Sequence, residues 1–348
     1  MPPFARDLFQ YLPPYEVAIT FGIILFAFSF ASSRRIVSLP STGGRTVMLA
    51  WVAIAGSLLV ATVATAVSWI AVLAPLVDES GYAGWWRRPT PLLAAVLVVG
   101  VAALLLRRGP LPAPGERAIA PRRSWNTFAS RRSMQVAAVT AVLLLVTLVW
   151  QTAIATTAPE EGPFFGKTPV HSDLPVFMTF QFGYGYVGGV GWPNHYATFI
   201  ALALGAAVLF FVLRADANRP ISARLPAASI RVEREHVARV LTLIMLGGLI
   251  TTLGMVWMHV GSIGTATVGF DEEWVSAETS MTHFNVSTGY RDIADPIALA
   301  GYLLQAAGVA LLLRVATDSV RSFLGLRRAN SGTRDEGGTP ARVAGAGQ

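Results

Sequence analysis

The stretch Val240–Ser262 reads VLTLIMLGGLITTLGMVWMHVGS and contains no Asp, Glu, Lys or Arg over its whole length. A helix rises 1.5 Å per residue, so about 20 such residues cross roughly 30 Å of hydrocarbon. Six other stretches meet the same test. In chain order, the seven predicted spans are Val17–Ser33, Val47–Leu76, Pro91–Leu106, Met134–Thr156, Tyr196–Leu213, Val240–Ser262 and Ile297–Ala316. The predicted fold class is therefore all-α, a polytopic bundle of transmembrane helices.

The composition excludes an ordinary soluble domain, because 53% of the residues are hydrophobic and only 14% are charged. A soluble domain has roughly 25% charged residues. The net charge of +7 raises the question of nucleic acid, but the basic residues flank apolar runs in short loops. We therefore expect membrane lipids, with anionic headgroups, as partners and no nucleic acid. The chain has no cysteine, which excludes disulfides, thiolate metal sites and a cysteine nucleophile.

The charges predict the orientation of the chain in the membrane. Four segments, Ser33–Arg45, Arg107–Arg132, Arg214–Arg239 and Arg314–Gln348, together hold 22 basic and 7 acidic residues, and the rest holds 5 and 13. Cytoplasmic loops carry the excess of Arg and Lys, so these four segments are assigned to the cytoplasm. With seven spans, the N-terminus lies outside and the C-terminus inside. The predicted location is the plasma (inner) membrane, as a multi-pass protein.

The predicted domain organisation is one seven-span membrane domain over residues 1–329, followed by a disordered cytoplasmic tail over residues 330–348. Two outer loops, residues 157–195 and 263–295, exceed the usual length of structureless connectors, which predicts ordered or functional loops. In the first, Phe177–Tyr186 interleaves aromatic with small or polar residues. An interfacial strand pair, a re-entrant cap and a segment of the aromatic belt all fit this pattern.

A weak internal repeat groups the last six spans into three hairpins. Each hairpin rises to a tryptophan near its outer end, at Trp69, Trp150 and Trp257, and returns through a leucine-rich end to arginine. The general preference of Trp for outer interfaces and of Arg for inner ends also explains this pattern. The pseudo-repeat therefore carries no functional claim.

The middle of every predicted span lacks Asp, Glu, Lys, Arg and His. Ionisable residues at bilayer depth usually mark ion pathways or proton relays. Their absence disfavours proton-coupled transport through the bundle, and Gln305 is the largest polar side chain there.

A candidate metal site lies at the outer ends of spans five and six. Four of the five histidines are on the predicted outer side, at His171, His195, His259 and His283. Imidazole with thioether suits copper, whereas imidazole with carboxylate suits zinc. The candidate ligands are His259, His195, Met258, His283, Met255 and Asp271. No tight ligand spacing supports the site, and packing methionines with interfacial histidines explain the same residues.

Two classes of function stay open, and whether the protein is an enzyme is undecided. The favoured class is non-catalytic: a subunit of a larger membrane complex, or a permease-like handler of apolar or lipidic molecules through an outer-face vestibule. The uncharged bundle interior supports it. The alternative is a copper- or zinc-dependent membrane enzyme, or a copper-handling protein, with the outer His/Met/carboxylate site.

Overall fold

The structure is a computed structural model that describes residues 14–31, 35–39, 45–73, 86–108, 111–117, 123–154, 176–180, 183–187, 192–224, 226–265, 267–271, 283–287 and 290–336. Most of the described residues are in helices. They are α1 (Pro14–Phe28), α2 (Thr46–Trp51), α3 (Ser57–Leu73), α4 (Thr90–Arg107), α5 (Arg131–Ile154), α6 (Trp192–Ala217), α7 (Ala227–Gly264) and α8 (Arg291–Glu336). A π-helical turn, Val52–Gly56, joins α2 to α3 without a break.

Six helical stretches in the described part of the chain are long and apolar enough to cross a membrane. They are Thr46–Ser68, Thr90–Arg107, Arg131–Ile154, His195–Ala217, Ala227–Gly264 and Arg291–Arg328. They coincide with the second to seventh predicted spans. The multi-pass helical class is confirmed, and these helices are those of an integral membrane protein.

The first predicted span falls on a shorter helix. The described part of α1 has 15 residues and is about 22 Å long, less than the hydrocarbon thickness. A 3-10 turn, Ser29–Ala31, follows it, and the Ser29 hydroxyl donates to the Phe26 carbonyl at 2.6 Å. Gly22 brings α1 against α8, since a Cβ there would lie 3.4 Å from the Ala306 carbonyl oxygen. A seventh span, and with it the outer N-terminus, stays a prediction.

Two short antiparallel strand pairs stand in the two predicted outer loops. Strands β1 (Val176–Phe180) and β2 (Gly183–Val187) pair with Val176 opposite Val187. Strands β3 (Thr267–Asp271) and β4 (His283–Ser287) pair in the same way, and β1 contacts β4. Of the forms predicted for Phe177–Tyr186, the described residues adopt the strand pair.

Helix α7 lies at the centre of the bundle, packed against α4, α5, α6 and α8. Nearly all its residues from Val237 to Val256 are buried. A helix that is apolar on all sides is buried on all sides. The stretch of α7 with this property is Val240–Ser262. Helix α5, its counterpart in the predicted repeat, instead exposes valines such as Val139 and Val146. The two occupy different environments, and the repeat stays a prediction.

Glycines set the close contact between α7 and α8. Gly247, Gly254 and Gly261 recur every seven residues along α7, so they share one face. A Cβ on Gly261 would lie 2.5 Å from the Ala298 backbone nitrogen of α8. Small residues of this kind let transmembrane helices approach closely. For Gly100, on α4, no atom of the described residues lies within 4 Å of the corresponding position, and it has no such role there.

All four predicted cytoplasmic segments meet at one end of the bundle, which we call the arginine end. Arg45 bonds Asp216 at 2.7 Å, and the Ile36 amide donates to Asp318 at 2.7 Å. Arg123 and Asn218 exchange two hydrogen bonds, of 3.0 and 3.1 Å. The opposite end, which holds His259 and Trp150, is the outer end. Which side of the membrane each end faces stays a prediction.

The final helix continues to Glu336, seven residues into the segment for which the sequence predicts disorder. Residues 337–348 of that tail lie outside the described part of the chain.

Candidate functional site

His259, the first predicted ligand, lies near the outer end of α7 and is half-buried. Its Nε2 lies 2.7 Å from an Arg88 guanidinium nitrogen. A guanidinium only donates hydrogen bonds, so Nε2 accepts this one. A metal at His259 would therefore have to use Nδ1 unless Arg88 moved away.

Arg88 itself was not predicted as a functional residue. It lies in the turn before α4 and is only 5% exposed, although it carries a full charge. The available signal was its position, because only five basic residues fall outside the four arginine-rich segments. Basic residues are scarce outside those four segments. A side chain that takes part in the packing of the fold is one reason for an arginine to lie there.

The other predicted ligands on helices lie among packed side chains. His195, in the first turns of α6, is completely buried, and Met255 is buried in α7. Met258 packs against α8, where its Cγ lies 2.9 Å from the position that a Cβ on Gly301 would take. Met258 thus contributes to the contact between α7 and α8.

Asp271 and His283 are brought together by the β3–β4 ladder, in which they are directly opposite. Residues opposite one another in an antiparallel pair have Cβ atoms roughly 5 Å apart. Across the described residues, no group of three or more His, Cys, Asp or Glu is arranged to hold a metal. His171, the fourth predicted outer histidine, lies outside the described residues.

Three hydrogen bonds join polar groups on different spans. The Gln305 amide donates to the Ser68 hydroxyl, and the Trp257 indole donates to the Thr147 hydroxyl at 2.9 Å. The Leu92 amide, in the first turn of α4, donates to the Thr252 hydroxyl at 3.1 Å. These bonds satisfy groups that lipid cannot solvate, including an N-terminal helix amide.

At the arginine end, a cavity of about 330 Å³ lies between the C-terminal ends of α4 and α6 and the N-terminal half of α7. Apolar side chains form most of its wall: Ala103, Leu106, Leu111, Val212, Val237 and Leu241. Among the described residues, the charged ones in its lining are Arg45, Arg107, Asp216 and Arg219. Three guanidinium groups and one carboxylate leave the lining with a net charge of +2. We call this space the arginine cavity.

The arginines around the cavity interact with the C-terminal ends of helices. Arg107 closes α4, where a cation interacts favourably with the negative end of the helix dipole. Arg219 follows α6 and donates to the Leu106 carbonyl, one of the last four carbonyls of α4. Arg234 likewise donates to Ala217 and Arg219 carbonyls at the end of α6. The arginines from which the membrane orientation was predicted therefore also cap helices.

The guanidinium groups around the arginine cavity differ in how closely a carboxylate approaches them. Arg45 bonds Asp216 at 2.7 Å and lies 3.7 Å from Glu233. Burial lowers the pKa of Arg219 and the positive charge of Arg45 lowers it further, whereas the negative charges of Asp216 and Glu233 partly offset this. Arginine still stays protonated. Asp216 offsets part of the positive charge, and the net charge of +2 that remains on the lining favours an anion.

No protein-family model, curated protein or solved structure matches this chain. The fold alone defines the class, an integral membrane protein with six long apolar helices in its described part.

Proposed function

We propose that the protein handles lipidic molecules in the membrane and that it binds them in the arginine cavity. The observation that carries the proposal is the combination of an apolar wall with a basic rim. An amphipathic molecule has these two parts, an apolar chain and a polar head. Among the predicted functions, this is the permease-like handler of lipidic molecules, with binding assigned to the arginine end.

The size of the cavity is consistent with one headgroup and the first part of a chain. Pockets for small molecules measure roughly 300–1,000 Å³, and the arginine cavity lies at the lower limit. The remainder of a lipid would then extend beyond the cavity along apolar helix surface. Exposed residues Leu104 and Phe211, on α4 and α6, supply such surface beside the cavity.

The position of the cavity differs from the predicted outer-face vestibule. The loops that would form that vestibule lie partly outside the described residues, so it stays a prediction. The role as a subunit of a larger membrane complex also stays a prediction.

The experiment is to fill the cavity and measure bound lipid. Ala103 lines the cavity on α4, and Leu97, on the same helix but outside the lining, is 60% exposed. We expect Ala103→Trp to lose co-purified lipid by mass spectrometry of the intact protein, and Leu97→Trp to retain it. Equal lipid in both variants, with both proteins folded by circular dichroism, would overturn the proposal.

A metal-dependent function is the second candidate, supported by the pairing of Asp271 with His283. A carboxylate and an imidazole suit zinc, and copper follows if a methionine such as Met258 joins them. Elemental analysis of purified wild type, His283→Ala and a His259→Ala, His195→Ala double variant tests it. Near-stoichiometric copper or zinc that these variants lose supports this function, and His236→Ala at the arginine end is the control. Wild-type protein that contains neither copper nor zinc would exclude the metal-dependent function.

A further inference from the structure

We infer that the ligand of the arginine cavity carries a phosphate group and that Arg107 and Arg219 bind this phosphate. The inference rests on the proposed function, since it names the chemical class that the cavity takes. It concerns two guanidinium groups from different helix ends that line one space.

The three arginines of the cavity differ in what already engages them. Arg45 is held by Asp216 at 2.7 Å, with both side chains at most 15% exposed. Arg219 donates to the Leu106 carbonyl and has its pKa lowered by burial and by Arg45. Within the described part of the chain, the exposed Arg107 side chain has no hydrogen-bond or ion-pair partner. Arg107 is therefore the residue most able to meet a ligand.

Phosphate matches this arrangement better than a carboxylate does. A guanidinium presents its N–H groups as a planar fork that matches a phosphate or carboxylate edge. A phosphate has several oxygens directed in different directions, so two arginines approaching from α4 and from the end of α6 can each bond it. A single carboxylate offers two oxygens in one plane. The lining charge of +2 also suits a phosphate, which carries between one and two negative charges.

The apolar wall indicates that the phosphate belongs to a lipid. Free phosphate gains nothing from Leu106, Val212 and Leu241, whereas the first methylenes of an acyl chain do. The arginine end is also the predicted cytoplasmic end, where anionic headgroups attract basic residues.

The test measures binding of defined amphiphiles to the purified full chain in neutral detergent, by the shift in thermal unfolding. The probes are phosphatidic acid, phosphatidylcholine, oleic acid and inorganic phosphate. We expect phosphatidic acid to stabilise the protein most, with an effect that weakens as salt is raised. Inorganic phosphate alone should give little shift. An equal shift with inorganic phosphate would assign the site to the free ion and overturn the lipid source.

Paired variants locate the site. Arg107→Gln should weaken phosphatidic acid binding about tenfold, because a charge-assisted bond to phosphate is lost. Arg108→Gln removes the same charge one residue later, outside the cavity lining, and should change binding less than twofold. Arg107→Lys should fall between wild type and Arg107→Gln, because it keeps the charge and loses the fork. Equal binding by Arg107→Gln and Arg108→Gln would overturn the assignment.

The outcomes separate this inference from the proposed function. If oleic acid binds as well as phosphatidic acid, and Ala103→Trp blocks both, the cavity binds lipid without phosphate recognition. Equal binding of phosphatidylcholine, which also carries a phosphate, would support phosphate recognition and show that the site accepts a choline on that phosphate. If Ala103→Trp changes no binding, the proposed function fails as well.

Discussion

Arg314 and Asp318 form a buried ion pair on consecutive turns of α8, with Arg314 Nε 3.2 Å from Asp318 Oδ2. Both side chains are at most 3% exposed. The same carboxylate oxygen accepts the Ile36 amide at 2.7 Å, and the Arg314 guanidinium lies 3.9 Å from the centre of the Phe30 ring. The pair thereby joins α8 to the segment that follows α1.

Breaking this pair should be costly. Asp318→Leu leaves the Arg314 guanidinium buried without its carboxylate, which costs about 3–5 kcal/mol in the free energy of unfolding. Equilibrium unfolding in mixed micelles measures it. Arg314→Met combined with Asp318→Leu should recover part of the loss, because no buried charge remains while the Ile36 amide still lacks its acceptor. Glu235→Ala, in the exposed pair with Arg231, is the control and should change little. A similar small loss for Asp318→Leu would contradict the prediction.

The glycines between α7 and α8 should tolerate no methyl group. Gly261→Ala places a Cβ 2.5 Å from the Ala298 backbone nitrogen, and backbone atoms cannot rotate away. The helices must separate, at about 1–3 kcal/mol. Gly100→Ala is the matched control, since no atom in the described part of the chain lies within 4 Å of its Cβ position. Thermal unfolding of both variants in detergent compares them, and equal transition temperatures would refute the prediction.

Tyr290, just before α8, should make stability depend on alkaline pH. Burial raises its pKa from 10.0 to about 12, and its hydroxyl donates to the Val260 carbonyl at 3.2 Å. The raised pKa favours the folded state fully below pH 10. Between pH 10 and about 12 the unfolded chain releases this proton first, so the contribution is lost as pH rises. Tyr290→Phe should flatten the fall in unfolding free energy over that range. An unchanged slope would show that Tyr290 does not contribute.

Asp216 should limit anion binding in the arginine cavity. Asp216→Asn removes the one carboxylate of the lining and releases Arg45 from its 2.7 Å ion pair. We expect phosphatidic acid to bind roughly three- to tenfold more tightly at low salt, since an unfavourable charge is gone. Glu116→Gln, which breaks the exposed pair with Arg224 outside the cavity, should leave binding unchanged. Weaker binding by Asp216→Asn would place the anion elsewhere.

Six of the seven predicted spans are helices of sufficient length because hydropathy is summed over neighbouring residues, and lipid leaves the backbone no alternative to a helix. The same local information predicted that the arginine-rich segments share one side, and their contacts place them at one end. It also produced the candidate ligands, of which only Asp271 and His283 are shown directly opposite one another.

The sequence by itself therefore determined the helical membrane class and the grouping of the arginines at one end. Only the tertiary structure decided that α7 is central, that Arg88 reaches His259, and that three arginines line one cavity. The physical reason is the separation along the chain between the residues that interact. Asp318 meets the Ile36 amide across 282 residues, and whether an arginine solvates, caps a helix or binds an anion depends on such distant partners.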